Sequence, residues 1–124
     1  MKREIKFRGI SQDKKFIYGD LVQDSENKRY AITPQIGKEH DYNQFEVLEI
    51  TIGQYTGLKD KNGVEIYEGD ILAYENTLNF KTVLQNHFEI KWEDYGSGMV
   101  GFTQFSPRNK FVVCGNIYEN PELL

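Results

Sequence analysis

Apolar side chains in this chain recur at every second position, in short runs that Gly, Asn, Asp and Ser keep interrupting. In "HFEIKWED" (87–94), Phe88, Ile90 and Trp92 alternate with Glu89, Lys91 and Glu93, so an extended backbone sets one apolar face against one charged face. "EIKF", "KFIYGDLV", "VLEITIGQY", "EIY", "DILAY" and "KFVVCGNIY" read as further short strands, separated by turn-forming clusters at "QDSENKR", "DKNG" and "YGSG". Strands this short, with turns this close, predict a mainly β fold: a small barrel or a β-sandwich of short antiparallel strands. The rings agree, since eight Phe, eight Tyr and one Trp suit a pleated, half-buried surface and carry much of the burial energy. No long amphipathic helix stands out. The best candidates for helical turns are "GKEHDYNQFEVLEI" (37–50) and the final "NPELL", where Asn120 is placed to cap a turn with Pro121 at its first position. Leu123 and Leu124 predict that this last turn docks on the protein's own core or on a neighbouring subunit.

A length of 124 residues predicts one domain, 1–124, which buries about two-thirds of the surface its unfolded chain exposes. Nineteen acidic and fifteen basic residues leave a net charge of −4, which argues against affinity based on neutralising many phosphates. Cys114 is the only cysteine, so no intramolecular disulfide forms, a reducing compartment is expected, and the thiol reads as a small buried hydrophobe within "FVVC". The opening "MKREIKFRGISQDKKF" is charged and has no apolar signal region, and no run of about eighteen apolar residues occurs. The expectation is a cytoplasmic protein with no membrane partner.

The stretch "TGLKDKNGVEIYEGDIL" (56–72) invites a ligand reading and rejects two. A calcium loop needs Gly sixth and Glu twelfth, whereas counting from Asp60 places Gly63 fourth and Ile71 twelfth. A phosphate loop fails because Gly53 and Gly57 stand too close and no Lys-Ser or Lys-Thr follows. Read as a folding device, Asp60-Lys61-Asn62-Gly63 forms a type I turn with Gly63 left-handed. Asp60 then faces Val64, Lys59 faces Glu65 and Leu58 faces Ile66, which pairs opposite charges on one face and aliphatics on the other. A two-residue Asn-Gly turn would mix polar and apolar partners, a slip that sheet patterning forbids. Gly69 and Asp70 should break or bulge the strand after Tyr67. The triplets Gly19-Asp20-Leu21, Gly69-Asp70-Ile71 and Gly115-Asn116-Ile117 read as one Gly-centred bulge or turn used three times. Asp60, Asn62, Gly63, Gly69, Asp70 and Gly115 are thus assigned to shaping turns.

"TIGQYTGLKDKNGVEIYEGDIL" (51–72), "GNIYENPELL" (115–124) and the opening "REIKFR" (3–8) resemble the YopX family, small proteins carried by bacteriophages and prophages of Gram-positive bacteria. Residues 23–46 and 75–110 carry no phrase of that family. Relatives usually place an aromatic residue and an acid just after the opening arginine, where this chain has Gly9, Ile10 and Ser11. The resemblance implies a mostly β protein around an SH3-like barrel with an N-terminal subdomain, hence a subdivision near residue 50 into 1–50 and 51–124. It implies no established activity and no catalytic residues.

The residues themselves point away from the commoner chemistries. His40, His87 and Cys114 lie too far apart for a zinc ligand set. Ser97 in "GSGM" lacks the strand-turn-helix context of a nucleophile elbow. Glu93 and Asp94 point to opposite faces of a strand. No metal, cofactor or catalytic residue is therefore assigned. The expected function is non-enzymatic, through protein–protein contacts with an unidentified phage or host protein or through homo-oligomerisation, because short-strand domains leave sheet edges to cover. The alternative and less favoured partner is single-stranded nucleic acid, stacked on aromatic residues of a barrel face. Tyr55, Lys59, Lys61, Tyr67, Trp92 and Tyr95 are the candidate interaction surface, although the alternation of "FEIKW" places Trp92 on a core face.

Overall fold

The strand-like runs become eleven short β-strands and two single turns of 3₁₀ helix in a computed structural model that describes residues 4–34, 43–96, 99–103 and 110–124. The mainly β class with short antiparallel strands and at most short helical turns is what the alternation demanded. Among the described residues the pairings do not close into a barrel. The chain forms two compact units, Met1–Tyr55 and Thr56–Leu124.

In the first unit, β1 (Phe7–Ile10), β2 (Phe16–Asp24), β3 (Arg29–Thr33) and β4 (Phe45–Val47) follow one another as neighbours, and β1 also pairs with the start of β5 (Gly53–Lys59). Ile32, Val47 and Tyr55 are buried here. Thr51 fastens the 3₁₀ turn Glu49–Thr51 to β1: its hydroxyl accepts from Ile10 N–H at 2.9 Å and donates to Leu48 O at 2.6 Å. The stretch 37–50, expected as a helical candidate, is therefore β4 followed by that single turn over its described part, and its residues 37–42 lie outside the described ones. A Cβ on Gly9 would fall 2.8 Å from the Val47 side chain, so a bulky residue at position 9 requires Val47 to move.

In the second unit, the end of β5 runs beside β6 (Glu65–Tyr67), and β11 (Phe111–Asn116), β7 (Asp70–Leu78) and β8 (Lys81–Glu89) form a sheet in that order. β9 (Trp92–Gly96) pairs with β10 (Met99–Phe102). Among the described residues, the pairings β1–β2, β1–β5, β2–β3, β3–β4, β7–β8, β7–β11 and β9–β10 are all antiparallel. Ile66, Leu72 and Ile90 make the core, with Phe88, Phe111 and Val113 packed against it. The rings of Phe88 and Phe111 meet edge to face at 5.5 Å, a favoured aromatic geometry.

The run "HFEIKWED", expected as one strand, is two. Ile90 makes the last bonds beside β7: its N–H donates to Asp70 O at the start of β7, and its carbonyl accepts from Gly69 N–H in the turn before it, both at 2.8 Å. Lys91 belongs to no strand, and Trp92 opens a different sheet. Trp92 is 53% exposed rather than on the core face that the alternation suggested. The three Gly-centred triplets also differ from one another. Gly69 sits in a turn at φ +90°, a conformation that suits glycine, Gly115 sits at a register shift in β11, and Gly19 lies inside β2 opposite Phe7.

Candidate functional site

The loop between β5 and β6 is built by one carboxylate. Asp60 N–H donates to Val64 O at 2.9 Å and Gly63 N–H donates to Asp60 O at 3.0 Å. Gly63 stands at φ +83°, so this is a three-residue loop with Asp60 opposite Val64. The Asp60 side chain then works twice. Its Oδ1 accepts from Asn62 N–H at 2.8 Å and Val64 N–H at 2.9 Å, while Oδ2 reaches across to accept from Val113 N–H of β11 at 3.0 Å. Beside it, Lys61 N–H donates to Phe111 O at 3.2 Å, and the Lys61 ammonium pairs with Glu75 of β7. All the acceptor positions of Asp60 accounted for here face backbone N–H groups of the protein's own chain.

Asp70 has a comparable internal role. It is 2% exposed, and its Oδ2 accepts from Tyr67 N–H at 2.8 Å, closing the turn that joins β6 to β7. Ile117 N–H donates to Gly69 O at 2.9 Å, so the same turn holds the chain that leaves β11. There Asn116 Oδ1 accepts from Tyr118 N–H at 3.0 Å and Glu119 N–H at 2.9 Å. Asn120 stands at the head of the 3₁₀ turn Pro121–Leu123 without capping it through its side chain, and instead accepts from Asn116 N–H at 3.3 Å. Leu123 is half-buried and Leu124 exposed.

The candidate surface residues divide. Tyr55 and Tyr67 are 4% and 2% exposed, with Lys6 Nζ lying 5.2 Å from the Tyr55 ring centre, so neither ring offers a face for stacking. Lys59 and Lys61 are at the surface. Trp92 is half-exposed and meets the Phe102 ring edge to face at 4.9 Å. It shares a shallow depression with Lys91, Glu93 and Asp94, in which Lys91 lies 3.9 Å from the Glu93 carboxylate. Tyr95 belongs to β9, and its side chain lies outside the described residues.

The surface that residue chemistry did not single out is apolar. The two-residue loop Asn79-Phe80 joins β7 to β8 with φ of +52° and +63°, a type I′ turn made without glycine. Phe80 at its tip is completely exposed, and Val83 and Leu84 just beyond it are 41% exposed each. In the first unit, Leu48 just before the 3₁₀ turn and Ile50 within it are 56% and 84% exposed. Only the Asn at position 79 gave a turn signal for this tip, and Asn-Phe lacks the Gly that makes an Asn-Gly hairpin recognisable.

Among the described residues, no three His, Cys, Asp or Glu side chains come together as a metal-ligand group, and no helix is long and apolar enough to cross a membrane. His40 and Ser97 lie outside the described residues. Cys114 is half-buried, and its thiol donates to Ile71 O at 3.3 Å. Burial pushes the thiol pKa up and the nearby Asp70 charge adds to it, against a hydrogen bond from the backbone that lowers it. The net effect keeps Cys114 protonated and a poor nucleophile at neutral pH.

The similarities to known proteins run over nearly the whole chain. The family model described as YopX protein matches residues 6–124. The crystal structure of protein EF1440 from Enterococcus faecalis is similar at 30% sequence identity and a TM-score of 0.59, over 99% of this chain and 99% of that chain. No curated protein matches the chain. With the model match running from the first strand to the last turn, the chain belongs to the YopX family.

Proposed function

We propose that this chain is a non-enzymatic phage or prophage protein that works in the bacterial cytoplasm through protein–protein contacts. The observation that carries this reading is Phe80, a fully exposed aromatic ring on a left-handed backbone at the tip of the β7–β8 hairpin. The two-residue turn itself sets this backbone, and a bulky residue there costs free energy; strained positions of this kind cluster at binding and switch sites. Leu48 and Ile50 in the first unit add large exposed apolar groups of the kind that interfaces bury. The acids that looked most suited to ligands, Asp60 and Asp70, accept hydrogen bonds from the protein's own backbone.

Cross-linking in cells that carry the phage genome tests the reading, comparing wild type with Phe80→Ser, Ile50→Ser and Trp92→Ser. Wild type should give a discrete cross-linked species, a multimer or a complex, and at least one folded variant should lose it. A chain that stays uncross-linked throughout sinks the proposal.

One feature favours the alternative of single-stranded nucleic acid. The half-exposed Trp92 ring lies beside Lys91, and stacking a base on such a ring contributes about 1–3 kcal/mol. Glu93 and Asp94 in the same depression repel phosphate, which makes this the weaker reading. Anisotropy of a labelled oligothymidylate at low salt decides it: binding should be abolished by Trp92→Ala, and an unchanged signal at high protein concentration ends the idea.

A further inference from the structure

The sheet of the second unit has two edges, and the chain itself covers one. Along β11, Lys61 N–H bonds to Phe111 O and Val113 N–H bonds to Asp60 Oδ2. Along β8, no strand pairs with the outer side among the described residues. The two-residue loop makes Leu78 and Lys81 the first hydrogen-bonded pair, so Lys81, Val83 and Gln85 direct their backbone groups to β7, and Thr82 and Leu84 direct theirs outward. Natural edges are usually blunted by charge, proline or a bulge. This one is blunted only at its ends. Lys81 stands at the start, and at the far side Asn86, with φ +58°, lies in a bulge where the register shifts between Leu72 and Tyr74 of β7. Between Glu75 and Glu89 the sole Lys, Arg, Asp or Glu is Lys81, in a chain where such residues make up 27%.

We propose that two copies of this chain pair through β8, antiparallel about a two-fold axis at Val83. This rests on the protein-contact reading above and names the partner as a second copy. A regular strand is available only over residues 81–85, before the bulge, and the Val83-centred register is the one that uses all of it on both copies. Thr82 then exchanges hydrogen bonds with the partner's Leu84, Val83 meets its own copy, and Lys81 faces the neutral Gln85. No like charges oppose one another, which matters for a protein of net charge −4. A duplex nucleic acid or a strongly charged peptide finds nothing complementary on this edge. The arrangement also stops at two: an isologous contact uses the same edge on both copies, and the β11 edge is already occupied by the Asp60 loop.

The test uses the full chain. Light-scattering molar mass across concentrations should rise to twice the chain mass, and Val83→Lys, which sets two ammonium groups across the axis, should hold the protein at the single-chain mass with an unchanged circular dichroism spectrum. In a Cys114→Ser background, Val83→Cys should form a covalent dimer with oxidised glutathione, because non-hydrogen-bonded antiparallel pairs place Cα atoms about 4.5 Å apart, within disulfide reach. Thr82→Cys, which faces Leu84, should form several-fold less. This second assay decides the matter if Val83→Lys fails to fold. A wild-type chain that stays at single-chain mass at every concentration overturns the proposal. So does an oligomer that Val83→Lys leaves intact with no Val83→Cys cross-link, and that result removes the β8 edge while sparing the wider protein-contact reading.

Discussion

β11 and β8 border the same sheet, and the chain treats them oppositely. β11 receives a loop whose Asp60 carboxylate and Lys61 backbone occupy its outward groups. β8 has no such cover among the described residues, and its outward groups are flanked by Lys81 and the Asn86 bulge. The difference teaches that an edge can be closed without another strand, by one side chain whose two oxygens serve different parts of the chain. It also separates residues that act within the fold from residues that the fold leaves available.

The largest expected effect comes from breaking the closed edge. Asp60→Ala removes the acceptor for three N–H groups, those of Asn62, Val64 and Val113. Hydrogen bonds to a charged group contribute about 1.5–3 kcal/mol each and do not add fully, so a loss of about 3 kcal/mol is expected in urea unfolding. Asp60→Asn keeps one carbonyl oxygen and should lose less. The opened β11 edge should also permit association beyond two copies. A variant within about 0.5 kcal/mol of wild type, the range of ordinary surface changes, would mean that the carboxylate does not close this edge.

A smaller effect comes from the loop itself, and the first unit supplies its control. The β1–β2 loop has the same bonds as the Asp60 loop: Ser11 N–H to Lys15 O and Lys14 N–H to Ser11 O, both at 3.0 Å. There the left-handed position is held by Lys14 at φ +60°, not by glycine. Nothing lies within 4 Å of a Cβ built on Gly63, so any cost at 63 is conformational. Gly63→Val should lose about 1–2 kcal/mol because a β-branched residue resists positive φ, whereas Gly63→Asn or Gly63→Lys should lose clearly less. Equal stability of the Val and Asn variants would show that the loop changes shape rather than bearing the strain.

These two loops also show what a sequence can tell. The turn at Asp60 was legible because the groups that shape it lie within five residues of one another and include Gly63, and the fold class was legible from the alternation of apolar residues. The turns at Lys14 and Phe80 were not, since each puts a non-glycine residue in a conformation that residue type does not signal. Alternation shows which residues share a face while a strand lasts, and it does not show where the strand stops. "HFEIKWED" stops pairing with β7 at Ile90 because β7 itself begins at Asp70, some twenty positions away, and the chain before it turns at Gly69; beyond that point Trp92 pairs with β10 and is half-exposed. The candidate surface was chosen for its chemistry, rings near lysines. The burial of Tyr55 and Tyr67 depends on packing that residue type alone does not encode.

The smallest expected effect is a gain, and it tests whether the open edge carries something the isolated fold does not need. Phe80 holds φ +63° with its ring wholly exposed, a conformation that costs an ordinary L-residue about 1–2 kcal/mol. Phe80→Gly removes that cost and completes an Asn-Gly type I′ turn, but it also frees the unfolded chain by about 0.5–1 kcal/mol. The difference leaves Phe80→Gly more stable than wild type by about 0.5 kcal/mol in urea unfolding at a dilution where the protein is a single chain. At high concentration the order should reverse if the ring contributes to association, because the variant then lacks what stabilises the assembled form. A variant less stable than wild type even when dilute would mean that the ring packs within its own chain, and the open end of the sheet would lose its most prominent anchor.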